Sequence, residues 1–169
     1  MSRTDAPRLD GVHHLKLPVS DLDRSQEWYE TRLGYRKQVE FIEGGRLMGV
    51  ALSHPNGGPV LALRLDPARA AASAGFDYFS IGVPSEQEIN ELAMRLTALG
   101  EEHAGVHRTS IGWILPYTHD PDRHEVRFYT TQHHTDPPQD EVLRTDDLQE
   151  MAERQAREPR TESAGTADQ

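Results

Sequence analysis

Apolar and polar positions repeat along the chain in a way that divides it into two similar halves. In "VHHLKLPV" (12–19) apolar residues alternate with polar ones, the signature of a strand with one face buried. Ser20 is then expected to cap a helix, with Asp23 three residues on, and Leu22, Trp28, Tyr29 and Leu33 supply its apolar side until Gly34 ends it. The second half repeats this order. "YFSIGV" (78–83) reads as a strand, Ser85 with Glu88 forms a stricter capping box, and Ile89, Leu92, Ala93, Leu96 and Leu99 make a helical stripe closed by Gly100. Three strand-like stretches follow each helix: "YRKQVEFI", "RLMGVALS" and "VLALRL", then "HAGVHRT", "GWILPYT" and "EVRFYT". The last strand of each half follows a similar turn, "HPNGGP" (54–59) or "DPDRHE" (120–125). Matching caps, Leu-Gly stops and X-Pro-Asx turns favour duplication over chance periodicity. The expected class is α+β, with two tandem βαβββ modules over about 10–68 and 74–132, after an N-terminal extension of residues 1–9.

From residue 133 the pattern ends. The tail (133–169) is polar and rich in charge and small residues, a composition that fits disorder. One short helix is expected over 146–157, capped by Thr145, carrying Leu148, Met151 and Ala152, and stopped by Pro159. The formal charge of -10 argues against a nucleic-acid partner, which requires a basic face. Most of that charge is in the tail. From Asp136 onward ten Asp and Glu accompany four Arg, so the body carries only about -4. With no cysteine, the chain has no disulfide and no thiolate nucleophile, which fits a reducing compartment. "MSRTDAPRLDG" lacks the apolar core of a signal peptide and no stretch has the length of a membrane span, so a cytoplasmic protein without a membrane partner is expected.

"HHLKLPVSDLDRSQEWYETRLGY", two βαβββ halves and a closing "DPD" turn resemble the glyoxalase/bleomycin-resistance/extradiol-dioxygenase group, the vicinal oxygen chelate superfamily. The resemblance covers about residues 10–132. It implies a curved mixed sheet with a concave ligand cleft, helices on its convex side, and a homodimer whose chains share clefts. It leaves function open, because this fold hosts lyases, dioxygenases, transferases and metal-free drug-binding proteins.

Metal-using members of the family place ligands on the first and last strands of each half. Carried over, those positions are His14, Leu61, Tyr78 and Arg127, so His14 alone matches. A divalent ion needs several imidazole or carboxylate ligands to replace its water shell. Arg127 is worse than a missing ligand: two unit charges about 4 Å apart interact by ~4 kcal/mol at an effective dielectric near 20, and a dication roughly doubles this. No metal cofactor is therefore expected; Fe, Mn, Ni or Zn is the weaker alternative. Adjacent strand residues point to opposite faces, so His13 and His14 are not expected to converge, nor His124 and Glu125. His103, His107, His119, His133 and His134 are expected at the surface. No Ser-His-Asp arrangement is apparent in the sequence.

The same alternation sends Leu15, Leu17, Val19, Val126 and Phe128 into the core and leaves His14, Lys16, Glu125, Arg127 and Tyr129 on the open face. Tyr78 and Ser80 join them, and so do Trp113 and Tyr117, whose register Gly112 and Pro116 interrupt. These nine residues are the candidate ligand-binding set, a cleft with aromatic walls and few polar groups. The plainest structural alternative is that Arg127 or Lys16 simply pairs with Glu125. The expected function is a metal-free binding protein that sequesters an aromatic or anionic small molecule. The alternative is an enzyme, either metal-dependent with an altered site or an acid-base catalyst. In the acid-base form His14 or Glu125 removes a proton, Tyr78 donates or orients, and Arg127 stabilises an oxyanion.

Overall fold

The computed structural model describes residues 10–135. The N-terminal extension (1–9) and the expected helix at 146–157 lie outside them. Within the described residues the packing separates two compact units, residues 10–82 with 119–127, and residues 83–118 with 128–135.

Element order is that of two βαβββ repeats. The first runs β1 (Leu15–Val19), α1 (Leu22–Leu33), β2 (Arg36–Glu43), β3 (Arg46–Ser53) and β4 (Leu61–Leu65). A short helix α2 (Pro67–Ala72) follows, and then β5 (Ser80–Val83), α3 (Glu86–Ala98), β6 (His107–Arg108), β7 (Trp113–His119) and β8 (Glu125–Thr130). The two four-stranded sheets have the same order, β1-β4-β3-β2 and β5-β8-β7-β6, so the repeat visible in the sequence is also a repeat of topology. The class is α+β. No helix among the described residues is long and apolar enough to cross a membrane.

In the first sheet β1 runs parallel to β4, while β3 is antiparallel to both β4 and β2. Leu17, Val19, Leu52, Leu61 and Leu63 are essentially inaccessible and pack on the helix side with Trp28 and Tyr29 of α1. Gly34 ends α1 in the left-handed region (φ 83°), and its N–H caps the carbonyls of Glu30 and Tyr29. β2 is an edge strand, and every one of its residues is exposed. Two register shifts, at Lys37/Val39 and Phe41/Ile42, bulge it, a feature that turns an edge away from continued pairing. In the second repeat Ser85 accepts the Glu88 N–H and caps α3, whose Ile89, Ala93 and Leu96 are buried.

Several local expectations differ from the structure. The cap of α1 is Asp21, which accepts the Arg24 N–H at 3.0 Å. Ser20 is instead drawn to Asp122, its hydroxyl donating at 2.5 Å and its N–H at 3.0 Å, and a charged acceptor outcompetes the local cap. Helix α2 was not expected, although "DPARAAA" carries its signals: Asp66 accepts the Arg69 N–H and Pro67 stands at the first turn. β1 and β5 begin later than the alternation suggested, at Leu15 and Ser80, and β6 is only two residues long.

Candidate functional site

The open face of the first sheet forms a cleft of about 580 Å³. Its floor follows from strand register. Lys16 pairs with Ala62, Ala62 with Ala51, and Ala51 with Val39; one step along, Arg64 pairs with Gly49 and Gly49 with Phe41. Two rows of side chains therefore cross the sheet, small in the middle, apolar toward β2 and cationic toward β1 and β4. Gly49 makes this flatness obligatory, since a Cβ there would lie 2.7 Å from the Leu63 carbonyl oxygen and 3.4 Å from Cδ2 of Phe41. Val39 and Phe41 are 50% and 43% exposed, which leaves an apolar wall uncovered over that floor.

Charge around the floor is uneven. Arg64 forks onto both carboxylate oxygens of Glu43, and this pairing holds the Glu43 carboxyl below its usual range. Lys16 adds to that field yet makes no ion pair among the described residues. The cleft thus carries two cations and one carboxylate in a chain whose formal charge is -10.

His14 lies on the cleft wall, and so, against expectation, does His13. Their Nδ1 atoms are 3.0 Å apart, which contradicts the expected divergence. The reason is local: residues 12–14 precede β1, so strand alternation does not govern them. Tyr78, Ser80, Glu125 and Arg127 belong to the same unit but do not line this cleft. Arg127 donates from Nε to Glu125 Oε1 at 2.7 Å and lies 3.2 Å from Asp77 Oδ2. The plain ion-pair reading therefore describes Arg127, and Lys16 is not the partner of Glu125. Tyr78 is exposed and sets its ring edge-on between Phe76 and His124, with centroids 5.0 and 5.6 Å away.

Trp113, Tyr117 and Tyr129 lie in the second unit. The Trp113 ring meets His134 edge-on at 4.3 Å, and Tyr117 is exposed with a left-handed φ of 68°. His134 is buried rather than at the surface, its Nε2 bonded to the Thr109 carbonyl at 3.0 Å. In β8 Val126, Phe128 and Thr130 are buried while Glu125, Arg127 and Tyr129 are half-buried, the alternation read from sequence.

The turn before β8 organises buried polar groups. Asp120 Oδ1 accepts the N–H groups of Asp122 and His124, each at 3.0 Å. Its Oδ2 accepts Tyr29 Oη at 3.0 Å and His124 Nδ1 at 2.9 Å. Ser73 Oγ stands 3.1 Å from His124 Nε2. These contacts correct one expectation, since a Ser-His-Asp arrangement does exist, and its His124 is fully buried.

Residues 11–128 match the family model described as the Glyoxalase/Bleomycin resistance protein/Dioxygenase superfamily. The chain belongs to this superfamily. Similar solved structures include a glyoxylase/bleomycin resistance protein/dioxygenase domain from Frankia sp. EAN1pec, 24% identical with a TM-score of 0.59, covering 73% of this chain and 98% of that one. TnmS3, an antibiotic binding protein from Streptomyces sp. CB03234, is 15% identical with a TM-score of 0.61 and coverage of 74% and 98%. The fosfomycin resistance protein FosX from Listeria monocytogenes is 15% identical with a TM-score of 0.56 and coverage of 74% and 96%. These likenesses show the fold. Among curated proteins none matches the chain.

Superfamily membership raises the question of a metal, on which the chemistry of the residues bears. At the positions that correspond to ligands, Leu61 is wholly buried and apolar, and Arg127 is a cation already held by two carboxylates. Among the described residues no three His, Asp or Glu side chains come together as a set that could hold an ion. The donor set does not fit the superfamily's divalent metal.

Val39, Phe41, Gly49, Ala51 and Arg64 are not among the residues expected from the sequence, most of which fall in the second half. The in-step small residues of "RLMGVALS" and "VLALRL" were the available signal.

Proposed function

We propose that this chain is a metal-free small-molecule-binding protein of the resistance type, which sequesters a flat aromatic compound with an anionic group on the open face of its first sheet. The observation that carries this reading is the cleft itself. A small-residue floor at Ala62, Ala51 and Gly49 leaves room for a ring to stack, Val39 and Phe41 offer apolar area, and Lys16 supplies a cation that no carboxylate among the described residues neutralises by pairing. Burying a flat apolar ligand there releases about 25 cal/mol per Å² of covered apolar surface, and a charge-assisted bond to Lys16 fixes its direction. The antibiotic-binding and fosfomycin-resistance neighbours support the class of function. In this reading the protein works as a cytoplasmic homodimer, and His14 on the cleft wall completes the ligand surroundings.

The test uses 1-anilinonaphthalene-8-sulfonate, a planar anionic fluorophore, beside its neutral relative N-phenyl-1-naphthylamine. The sulfonate is expected to bind saturably at one site per chain and to be recovered unchanged. Ala51→Trp, which fills the floor, should weaken it at least tenfold; Lys16→Glu should weaken the sulfonate and leave the neutral amine unaffected. Equal binding to all three proteins would refute the site. Near-stoichiometric retention of Fe, Mn, Ni or Zn by the purified protein, lost in His14→Ala, would refute the metal-free reading. Sedimentation velocity checks the dimer.

A further inference from the structure

Away from the cleft, the turn before β8 assembles a hydroxyl, an imidazole and a carboxylate in series. Ser73 Oγ is 3.1 Å from His124 Nε2, and His124 Nδ1 is 2.9 Å from Asp120 Oδ2. The three come from different parts of the first unit: Ser73 caps the C-terminus of α2, and Asp120 and His124 bracket a tight turn. Asp120 is pinned by the N–H groups of Asp122 and His124 and by Tyr29 Oη, so its free direction is the one that His124 fills. In the neutral ring a proton on Nδ1 faces that carboxylate, which turns the Nε2 lone pair toward Ser73. Ser73 now donates to the Arg69 carbonyl at 2.7 Å, and rotating only its hydroxyl hydrogen redirects it to Nε2.

Access differs along the series. Asp120 and His124 are 2% and 1% exposed, whereas Ser73 is half-buried beside the exposed residues Ala74, Gly75 and Phe76. The side chains facing His124 are Asp120, Ser73 and the edge of Tyr78, with Tyr29 beyond the carboxylate.

We propose that Ser73 is an acyl- and phosphoryl-accepting nucleophile activated by His124 and Asp120, and that it reacts once with small electrophiles whose leaving groups are stable anions. In the step, Ser73 Oγ forms a bond to the carbonyl carbon or phosphorus, the bond to the leaving group breaks, and the hydroxyl proton passes to His124 Nε2. Asp120 holds the ring that gains the proton. The leaving group departs to solvent as its own anion, because the buried imidazole does not reach it to protonate it. For the same reason water is not delivered to the acyl-serine, so the adduct accumulates and turnover stops after one event.

The experiment treats the full-length protein with diisopropyl fluorophosphate and follows intact mass. The expected result is one diisopropylphosphoryl group per chain, mapped to the peptide containing Ser73, with fluoride released. Ser73→Ala should fold with an unchanged far-UV spectrum and take up none. His124→Gln should react at least about 100-fold more slowly, the scale of a lost general base. No adduct on the wild-type protein, an adduct that persists in Ser73→Ala, or an undiminished rate in a folded His124→Gln would each overturn the assignment. If His124→Gln does not fold, the wild-type rate decides. A rate that levels off with rising pH is expected of an internal base, and one first order in hydroxide throughout overturns it.

Discussion

Removing the phenolic oxygen of Tyr29 tests how the closing turn is held to the first helix. Tyr29 is wholly buried on α1, and its Oη donates to Asp120 Oδ2 at 3.0 Å across 91 residues of sequence. Hydrogen bonds to charged acceptors contribute about 1.5–3 kcal/mol each. In Tyr29→Phe, Asp120 keeps three donors, two backbone N–H groups and His124 Nδ1, so the carboxylate is weakened but not orphaned. The expected loss is therefore near the lower end, about 1.5–2 kcal/mol. Asp120→Asn is expected to cost more, about 3–5 kcal/mol, because an amide N–H would face groups that are themselves donors and the charge that orders all four is gone. In urea unfolding, with a slope of roughly 1–3 kcal/mol per M, Tyr29→Phe should lower the midpoint by about 1 M without changing the slope. The double mutant should lose less than the sum, by about 1 kcal/mol or more, since both changes remove the same bond. A Tyr29→Phe protein within about 0.5 kcal/mol of wild type, or strict additivity in the cycle, would refute this account of the turn.

Alkaline conditions should destabilise the protein. Burial and then the Asp120 charge raise the Tyr29 pKa well above 10.0, and burial raises that of Tyr35 to about 12. Because the folded state holds these protons more tightly than the unfolded one, stability is complete below pH 10.0 and falls as pH rises through 12; urea midpoints measured along this range should show it, and Tyr29→Phe should reduce the slope. Arg123 sits at φ 69°, where a side chain costs about 1–2 kcal/mol, more than the roughly 0.5–1 kcal/mol of chain entropy that glycine adds. Arg123→Gly should thus stabilise by about 0.5–1 kcal/mol, read as a rise in Tm; a fall would refute the strain. Gly49→Ala forces a Cβ to 2.7 Å from the Leu63 carbonyl and should cost about 1–3 kcal/mol by the same assay, with weaker naphthalene-sulfonate binding because the floor rises.

What could be read from the sequence follows from the range of the forces involved. Capping, glycine stops and alternation are local, so both βαβββ repeats and the buried faces of β1 and β8 were legible, as was the repeated topology they imply. Long-range competition was not. Ser20 satisfies the cap rule, yet Asp122, 102 residues away, takes its hydroxyl and Asp21 caps instead. His13 and His14 were assigned by strand alternation at a point where the strand had not begun, so their convergence was missed. The cleft floor depends on which residues of β1, β4, β3 and β2 stand abreast, and register is fixed by pairing across the sheet rather than by any one segment.

Arg127 shows why a substituted position cannot be assigned from its charge alone. A cation at a position where the family resemblance implies a carboxylate reads naturally as an anion receptor. Its Nε, however, is 2.7 Å from Glu125 and 3.2 Å from Asp77, so two carboxylates already stand against the guanidinium. An incoming anion would have to compete with both carboxylates, one of them on Glu125, whose side chain is only 12% exposed. Lys16 faces no such competition, since the nearby Glu43 is held by both nitrogens of the Arg64 fork. Under the proposed function, charge recognition therefore falls to Lys16 on the first strand of the first repeat, beside a sheet whose small central residues leave space for the rest of a ligand.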